Sequence, residues 1–597
     1  MKNSLYRKAA WLIAAACNLK VNSAVAQSTT TITIPIYASD VGSETHIGHD
    51  SGAIWEADGK QAPGYRGRSY LSFAVTAEKV LPVQSAATVS LHVYLHCHDH
   101  REGCNLALYG LPNRGNNFIA QEGDYSGGVY LSSFAIPANA SQGWTSIDVT
   151  KFLIQQVDGS NTAVAFRLQS GATLSGSNSH RQAPLFTTDN ISRDKTAYLE
   201  IAHISADTSS LDNKVMAGYQ GWFRTPGDIT GNNGWAHWFN ANPPSSANEG
   251  FDFWPDMSEL TAAEQFAVPG FTYPDGSQAT LYSGQVARTV LRHFQWMENE
   301  GIDGVWLSQF GNHLPSGAQA SDYPNVKRIM DNVRAAATST GRTWAFMYDT
   351  SGVAQANLYS IITTQWQSMV DQGYTSDPQY LHQNGLPVVE IYGFFPNDSN
   401  HSVGDPAVGN PLITYFQTPG KYQAIVVGSG SVGWQTGSAD FQAMLLRLNA
   451  YIPWNVGRIR TDPSTGNIVS NTTTWAASNA AFKANNVKFI PLVYPGTNIA
   501  GPPSDPPTAP RRDGNFLWEQ FVAASSIGGI NTVFIAMFDE VNEGTQIFPV
   551  TNTPPVQSPA FYTYDGFPGD WYMRLVVEGE KMLKNNTPIT TTIPITP

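Results

Sequence analysis

Eight short apolar runs recur along the second two-thirds of the chain, and their spacing restricts the fold more than any other feature. They are Val215–Tyr219, Gly304–Ser308, Trp344–Tyr348, Val388–Tyr392, Ala424–Val427, Tyr451–Trp454, Phe489–Val493 and Val533–Phe538. After the first, successive runs begin about 27 to 44 residues apart, the length of a strand, loop, helix and loop. Helical stretches are expected between them at Ser283–Asn299, Tyr323–Ser339, Gln355–Asp371, Asp440–Leu448 and Asn515–Ser526. Runs this uniformly apolar suit strands buried on both faces, as in a parallel sheet. Eight of them with helices between predict an α/β fold, a (β/α)8 TIM barrel over residues 213–585. The gap from the first run to the second is longer, at about 85 residues, and holds Trp222, Trp235, His237, Trp238, Trp254 and Asp256. A long aromatic loop at the C-terminal mouth of a barrel is placed for ligand contact.

The preceding region, 27–204, reads differently. Short alternating runs at Thr31–Tyr37, Arg68–Val75, Ala87–Leu95, Thr145–Val149, Ala163–Leu168 and Ala197–Ile201 lie between turn-rich segments, with one helix at Thr150–Val157. That pattern predicts an all-β sandwich, jelly-roll-like, able to serve as a carbohydrate-binding module or as a spacer. Residues 205–212 are polar and unpatterned and read as a linker, and 586–597 as a Thr/Pro-rich, disordered tail. Residues 1–26 have the form of a signal peptide: Lys2, Arg7 and Lys8, then apolar Ala9 to Leu19, then Ala24-Val25-Ala26. Export to the extracellular space or periplasm is therefore expected. No other stretch is long and apolar enough to suggest a membrane span.

Removal of that segment takes away Lys2, Arg7, Lys8 and Lys20, so the net charge of −13 becomes −17. It also leaves two cysteines, Cys97 and Cys104, which in an oxidising compartment form one local disulfide or remain free thiols. Charged residues are 14% of the chain and aromatics 12%. An acidic chain with few charges is a poor partner for nucleic acid. Aromatic faces and abundant amide side chains suit sugar rings and hydroxyls better, so a polysaccharide or oligosaccharide is the expected partner, and the chain is read as a monomer.

The last strand continues as Asp539-Glu540-Val541-Asn542-Glu543-Gly544. Three carboxyl groups within five positions at a barrel strand's C-terminal end raise one another's pKa, which keeps one protonated as a general acid. Glycoside hydrolysis uses such a pair, so Glu540 and Glu543 are the candidate catalytic residues. Along an extended strand they point to opposite faces and meet only if the chain turns, for which Gly544 is suited. Tyr219, Gln220, Trp222, Gln309, Asp349, Tyr392, Trp454 and Tyr494 fall at or beyond strand ends and are candidate substrate-binding residues. His237, Trp238 and Asp252 join them from the long first loop.

Glu540-Val-Asn-Glu543-Gly-Thr-Gln-Ile resembles the Glu-x-x-Glu-Gly-Thr segment of the family 99 endo-α-mannosidases and α-mannanases, relatives of the family 71 α-1,3-glucanases. Gly218-Tyr-Gln-Gly-Trp222, Gly301-Ile-Asp-Gly-Val-Trp306, Asn384-Gly-Leu-Pro-Val388 and Ile490-Pro-Leu-Val-Tyr-Pro-Gly496 extend the likeness. It implies an endo-acting, retaining hydrolase of α-linked mannan or glucan. Glu543 would be the acid/base, and Glu540 the base assisting through the sugar's 2-hydroxyl by way of a 1,2-anhydro intermediate. Val541 and Phe548 depart from the family pattern, and Phe251-Asp-Phe-Trp-Pro-Asp-Met-Ser258 resembles a 71/99-like branch often labelled xylosidase/arabinosidase. The strand order of 27–204 is similar to the DNRLRE module, on Arg68-Ser-Tyr-Leu-Ser-Phe73, Ala86–Leu95, Trp144…Asp148-Val-Thr150 and Ala183-Pro-Leu185. A carbohydrate-binding protein without turnover is the alternative from another class.

Two further motifs read as bland. Gly428-Ser-Gly-Ser-Val-Gly433 spells a dinucleotide fingerprint but lacks an acidic residue about twenty positions on, and reads as a flexible loop at the barrel mouth. His96, His98 and His100 alternate around Cys97, as a metal site would or as the wet face of a hairpin would. No metal or cofactor is expected.

Overall fold

In the computed structural model the described residues are 29–35, 42–43, 68–74, 88–96, 104–111, 128–136, 143–158, 163–170, 185–186, 198–231, 233–498, 507–557 and 560–597. Residues 1–26, Cys97, His98 and His100 lie outside them, and so do the expectations that rest on them.

The eight apolar runs form the strands of one parallel sheet. These are β1 (Lys214–Tyr219), β2 (Gly304–Phe310), β3 (Thr343–Asp349), β4 (Leu386–Phe394), β5 (Ile425–Ser431), β6 (Ala450–Trp454), β7 (Lys488–Phe489 and Leu492–Val493) and β8 (Thr532–Ile535). The sheet closes on itself through β7. Its first half pairs with β6 (Tyr451 opposite Phe489) and its second half with β8 (Leu492 opposite Phe534), while β8 pairs with β1 (Met216 opposite Phe534). Pro491, which has no N–H to donate, separates the halves, and its carbonyl accepts from Phe534 N at 2.9 Å.

A helix follows each strand: α1 (Ala287–Asn299), α2 (Tyr323–Thr340), α3 (Gln355–Asp371), α4 (Pro406–Gln417), α5 (Ala439–Leu445), α6 (Trp475–Lys483), α7 (Asn515–Ser525) and α8 (Trp571–Leu583). The architecture is a (β/α)8 barrel. Three of these helices escaped the sequence reading. In α4, Gly409 and Pro411 stand where helix breakers argue for a loop, yet Leu412, Ile413 and Phe416 are buried. Burial of that apolar face outweighs the local propensity.

The dinucleotide-like stretch is strand, not loop, because most of it lies in β5. A Cβ on Gly430 would sit 2.1 Å from the Phe394 carbonyl oxygen, and one on Gly428 2.5 Å from Leu448. Glycine is there to let neighbouring segments approach.

Before the barrel, two five-stranded antiparallel sheets are observed. Every strand expected from the sequence is present, and Cys104–Leu111 and Val129–Ile136 add to them. Val89, Leu91 and Val93 are buried in alternation, and Phe152, from the helix Thr150–Asp158 after the first sheet, packs on Phe166 and Gly110 of the second.

The expected linker is not free. Ala206 N donates to Gly341 O, Leu211 N to the Gln383 side chain, and Lys488 pairs with Asp212 at 2.5 Å, fastening the segment across the N-terminal ends of the strands. Nor is the Thr/Pro-rich tail loose. Trp518 Nε1 donates to Thr590 O, Arg574 to Thr596 O, and Ile593 and Ile595 pack against the core. Two isoleucines among polar residues supply the apolar surface that composition obscured.

Candidate active site

Strand β8 ends at Ile535. Ala536 N and Phe538 N still donate to Val493 O and Gly218 O of the neighbouring strands, and the chain then folds back on itself at the C-terminal mouth of the barrel. Met537 N donates to Thr545 O at 3.0 Å, Thr545 N to Glu540 O at 3.1 Å, and Ile547 N back to Met537 O at 3.1 Å. Gly544 takes φ +63° in this turn. The loop therefore departs from the strand geometry in which residues 540 and 543 would diverge. Its first carboxylate, Asp539, is fully buried and receives the backbone N–H groups of Gln220 (2.8 Å) and Gly221 (2.7 Å) at the end of β1. Burial raises the Asp539 carboxyl to about 6, against the lowering effect of those two bonds.

Glu540 is 5% exposed, and its Oε2 accepts from Gln220 Nε2 at 3.0 Å. Burial, then the charges of Glu543 and Asp539, push its carboxyl well above the usual range, and the Gln220 bond opposes the shift. Glu543 is exposed at the mouth. Its carboxyl is also raised, by the surrounding protein and then by the charge of Asp349 at the end of β3. Its backbone is held from β7, where Asn498 N and Thr497 Oγ1 each donate to Glu543 O at 2.8 Å. Between the two glutamates, Asn542 Nδ2 donates to His237 O (2.9 Å) and Gly250 O (2.6 Å), joining this loop to the long first loop.

Aromatic and acidic groups complete the mouth. The Tyr392 and Trp454 rings meet edge to face at 4.7 Å, and Tyr392 stands within electrostatic reach of Asp349 and Glu543. On the other side Trp222 is stacked between His237 (3.8 Å, 5° between planes) and Phe310 (5.2 Å). Burial, then Arg224, lowers the His237 imidazole to about 4, so the stack is neutral at physiological pH. These rings and Gln220 line a recess of about 30 Å³ with Arg224, His313 and Asp322. It is large enough for one or two waters rather than a sugar ring.

Of the residues expected from the sequence, Glu540, Glu543, Gln220, Trp222, His237, Gln309, Asp349, Tyr392 and Trp454 gather here. Four others do not. Tyr219 is fully buried and its hydroxyl bonds His293 of α1 at 2.9 Å. Tyr494, also fully buried, packs edge-on against Phe516 of α7. In both cases the side chain points outward, although the position is at the strand end. Gln309, opposite Tyr348 in the sheet, lines the small recess beside Gln220, Trp222 and His237. Trp238 is core, its Nε1 bonded to Tyr282 O. Asp252 is buried under the Glu540–Glu543 loop, where its N–H donates to Val541 O and its carboxylate accepts from Asn498 Nδ2 at 3.0 Å. Burial raises it to about 7.

One functional candidate went unread. Glu390, in the middle of β4, is fully buried, with the Ser429 hydroxyl beside its carboxyl and the charge of Asp349 near it. Burial raises it to about 8. A charged residue inside Val388–Tyr392, an otherwise apolar run, was the available signal. Among the described residues there is no group of three side chains that could hold a metal, and no helix long and apolar enough to cross a membrane.

No protein-family model matches the chain, and no curated protein matches it. Among solved structures, the chain is similar to the GH99 endo-alpha-mannosidase from Bacteroides thetaiotaomicron, at 18% identity and a TM-score of 0.45, over 63% of this chain and 99% of that one. It is also similar to GH5_18 from Streptomyces cattleya in complex with GlcNAc (12%, TM-score 0.34, over 51% and 76%) and to the Pseudomonas stutzeri endoglucanase Cel5A (13%, 0.30, over 51% and 88%).

Proposed function

We propose that this protein is a secreted glycoside hydrolase that cleaves an α-linked polysaccharide or oligosaccharide, acting internally on the chain and with retention. The observation that carries the reading is the folded-back loop after β8. It presents one buried glutamate and one exposed glutamate, both with raised carboxyls, at a mouth walled by Trp454, Tyr392 and Trp222. Burial and neighbouring negative charge raise both carboxyls, which favours the protonated form that a general acid needs. Gln220 Nε2 donates to Glu540, and this bond, with that of the Asn542 backbone N–H, favours charge on Glu540. Glu543 takes the acid/base role in this reading because it faces solvent, where a leaving-group oxygen can reach it.

In this reading Glu543 protonates the departing oxygen and later activates water. Glu540 removes a proton from the sugar in the first step. The resemblance of the Glu-x-x-Glu-Gly-Thr segment favours mannose or glucose as the sugar, and it carries the 2-hydroxyl route for Glu540. Aromatic walls offer the stacking surfaces that sugar rings use, with hydroxyls taken up by Gln220, Asp349 and Tyr392.

The test is release of reducing ends across a panel of α-mannans and α-glucans by wild type and Glu543→Gln. Turnover by the wild type should fall at least about a thousandfold in the variant, as loss of an essential acid–base group predicts. Glycan binding should persist. A variant with near-normal turnover, or a wild type that binds glycan and releases nothing, overturns the reading.

A further inference from the structure

Arg511 lies just before α7, far in sequence from both glutamates, yet its Nη2 donates to two carbonyls of the loop that carries them. The contacts are Gly544 O at 2.9 Å and Gln546 O at 2.8 Å. Three aromatic rings cage the guanidinium: Phe253 at 4.8 Å from the first loop, Tyr564 at 5.0 Å, and Tyr572 at 4.4 Å from α8. Ring faces attract a cation most strongly where water is displaced, so the cage holds the head group in place. The planar fork limits the directions in which it donates.

Around Glu543 the ties then divide. Asp539 fixes the entry of the loop to β1, and Asn498 with Thr497 fixes the Glu543 carbonyl to β7. Arg511 fixes the exit, one and three residues past the glutamate. Phe253 also borders the turn itself, since a Cβ on Gly544 would lie 3.2 Å from the same ring that flanks the guanidinium.

We propose that Arg511 is a positioning residue for Glu543. Its caged guanidinium holds the exit of the loop so that the acid/base carboxyl is presented at one place in the mouth. The assignment rests on the hydrolase reading above. Lysine at this position keeps the positive charge and loses the fork, so it separates geometry from charge.

The experiment compares full-length wild type, Arg511→Lys and Arg511→Ala. Three readouts are taken: kcat and KM on a released-sugar assay, thermal melting, and amide hydrogen exchange across 539–548. Displacement of a catalytic group by about 1 Å costs on the order of a hundredfold in rate. Arg511→Lys should therefore lose about ten- to a hundredfold in kcat with KM changed by less than about threefold. Exchange should quicken within 539–548 and not elsewhere. Added guanidinium ion should restore part of the kcat of Arg511→Ala by filling the cage, and an equal concentration of sodium chloride should not.

Unchanged kcat in folded Arg511→Lys sinks the assignment while leaving the hydrolase reading intact. So does a loss confined to KM, or an Arg511→Lys protein that no longer melts cooperatively, which would make the arginine a fold element. Absence of turnover in the wild type sinks the hydrolase reading, and this assignment with it.

Discussion

Gln220→Met removes the hydrogen bond from Nε2 to Glu540 Oε2 (3.0 Å) and keeps a side chain of similar length. The backbone at this position should not move, because Asp539 grips the N–H groups of residues 220 and 221 independently of the side chain. The bond favours the ionised form of Glu540, against burial and the charges of Glu543 and Asp539 that favour the neutral form. Its loss must therefore make Glu540 harder to ionise. A hydrogen bond to a charged group contributes about 1.5–3 kcal/mol. The Asn542 backbone N–H, which also favours the ionised form, is left in place by the substitution. If Glu540 acts as a base, kcat/KM at the acidic end of the profile should fall about ten- to a hundredfold, since each 1.36 kcal/mol is about tenfold. The deficit should shrink as pH rises and Glu540 ionises without help. The assay is kcat/KM for released reducing ends across the pH range. A variant profile parallel to that of the wild type, or one whose deficit grows toward alkaline pH, would refute the reasoning. The first would mean that the bond only binds substrate, the second that Glu540 works in its protonated form.

Two stability predictions follow from the same loop and the lumen beneath it. Glu390 has its carboxyl raised by burial to about 8 from an ordinary value of 4.5. In that window the folded state holds a proton that the unfolded state has released, so this group makes folding less favourable as pH rises, by up to about 1.4 kcal/mol per pH unit. Glu390→Gln should flatten the decline, gaining on the wild type between pH 5 and pH 8 in urea melts; parallel curves at both pH values would contradict it. Gly544→Ala should destabilise by about 1–2 kcal/mol, because φ +63° disfavours a Cβ and the new atom would crowd Phe253 at 3.2 Å. Gly466, with φ +74° and open space around its Cβ position, is the control, and the alanine variants should differ by the crowding alone.

Burial on both faces makes barrel strands legible as unbroken apolar runs, and all eight were visible for that reason. The same burial hides which way each side chain points. Tyr219 and Tyr494 sit at strand ends as Asp349, Tyr392 and Trp454 do, but a shift of one residue exchanges lumen for helix layer. In the sheet, Phe310, Asp349 and Tyr392 stand opposite one another across β2, β3 and β4, whereas Gln309 pairs with Tyr348. Register comes from pairing between strands distant in sequence, which the apolar pattern of a single strand does not encode. Arg511 and Asn498 were illegible for a related reason. Their roles come from contacts with residues tens to hundreds of positions away, through main-chain carbonyls or amides that no side-chain motif marks.

The spacing of the two glutamates shows how a short motif depends on its surroundings. Three residues apart on a strand they would face away from each other, and in a free loop they would have no defined separation. Here the loop is closed by the Met537–Thr545 and Glu540–Thr545 backbone bonds and tied to β1, β7 and the first loop through Asp539, Glu543 O and Asn542. Each tie is made by the main chain or by a residue other than the two carboxyls. Gln220 and the Asn542 backbone N–H bond the Glu540 carboxyl, and the ties that shape the loop leave out the Glu543 carboxyl. A Glu-x-x-Glu segment without these ties has the same letters but not the fixed geometry. The acid–base chemistry therefore belongs to the closed loop as a unit, and substitutions at its ties should impair turnover even where both glutamates are intact.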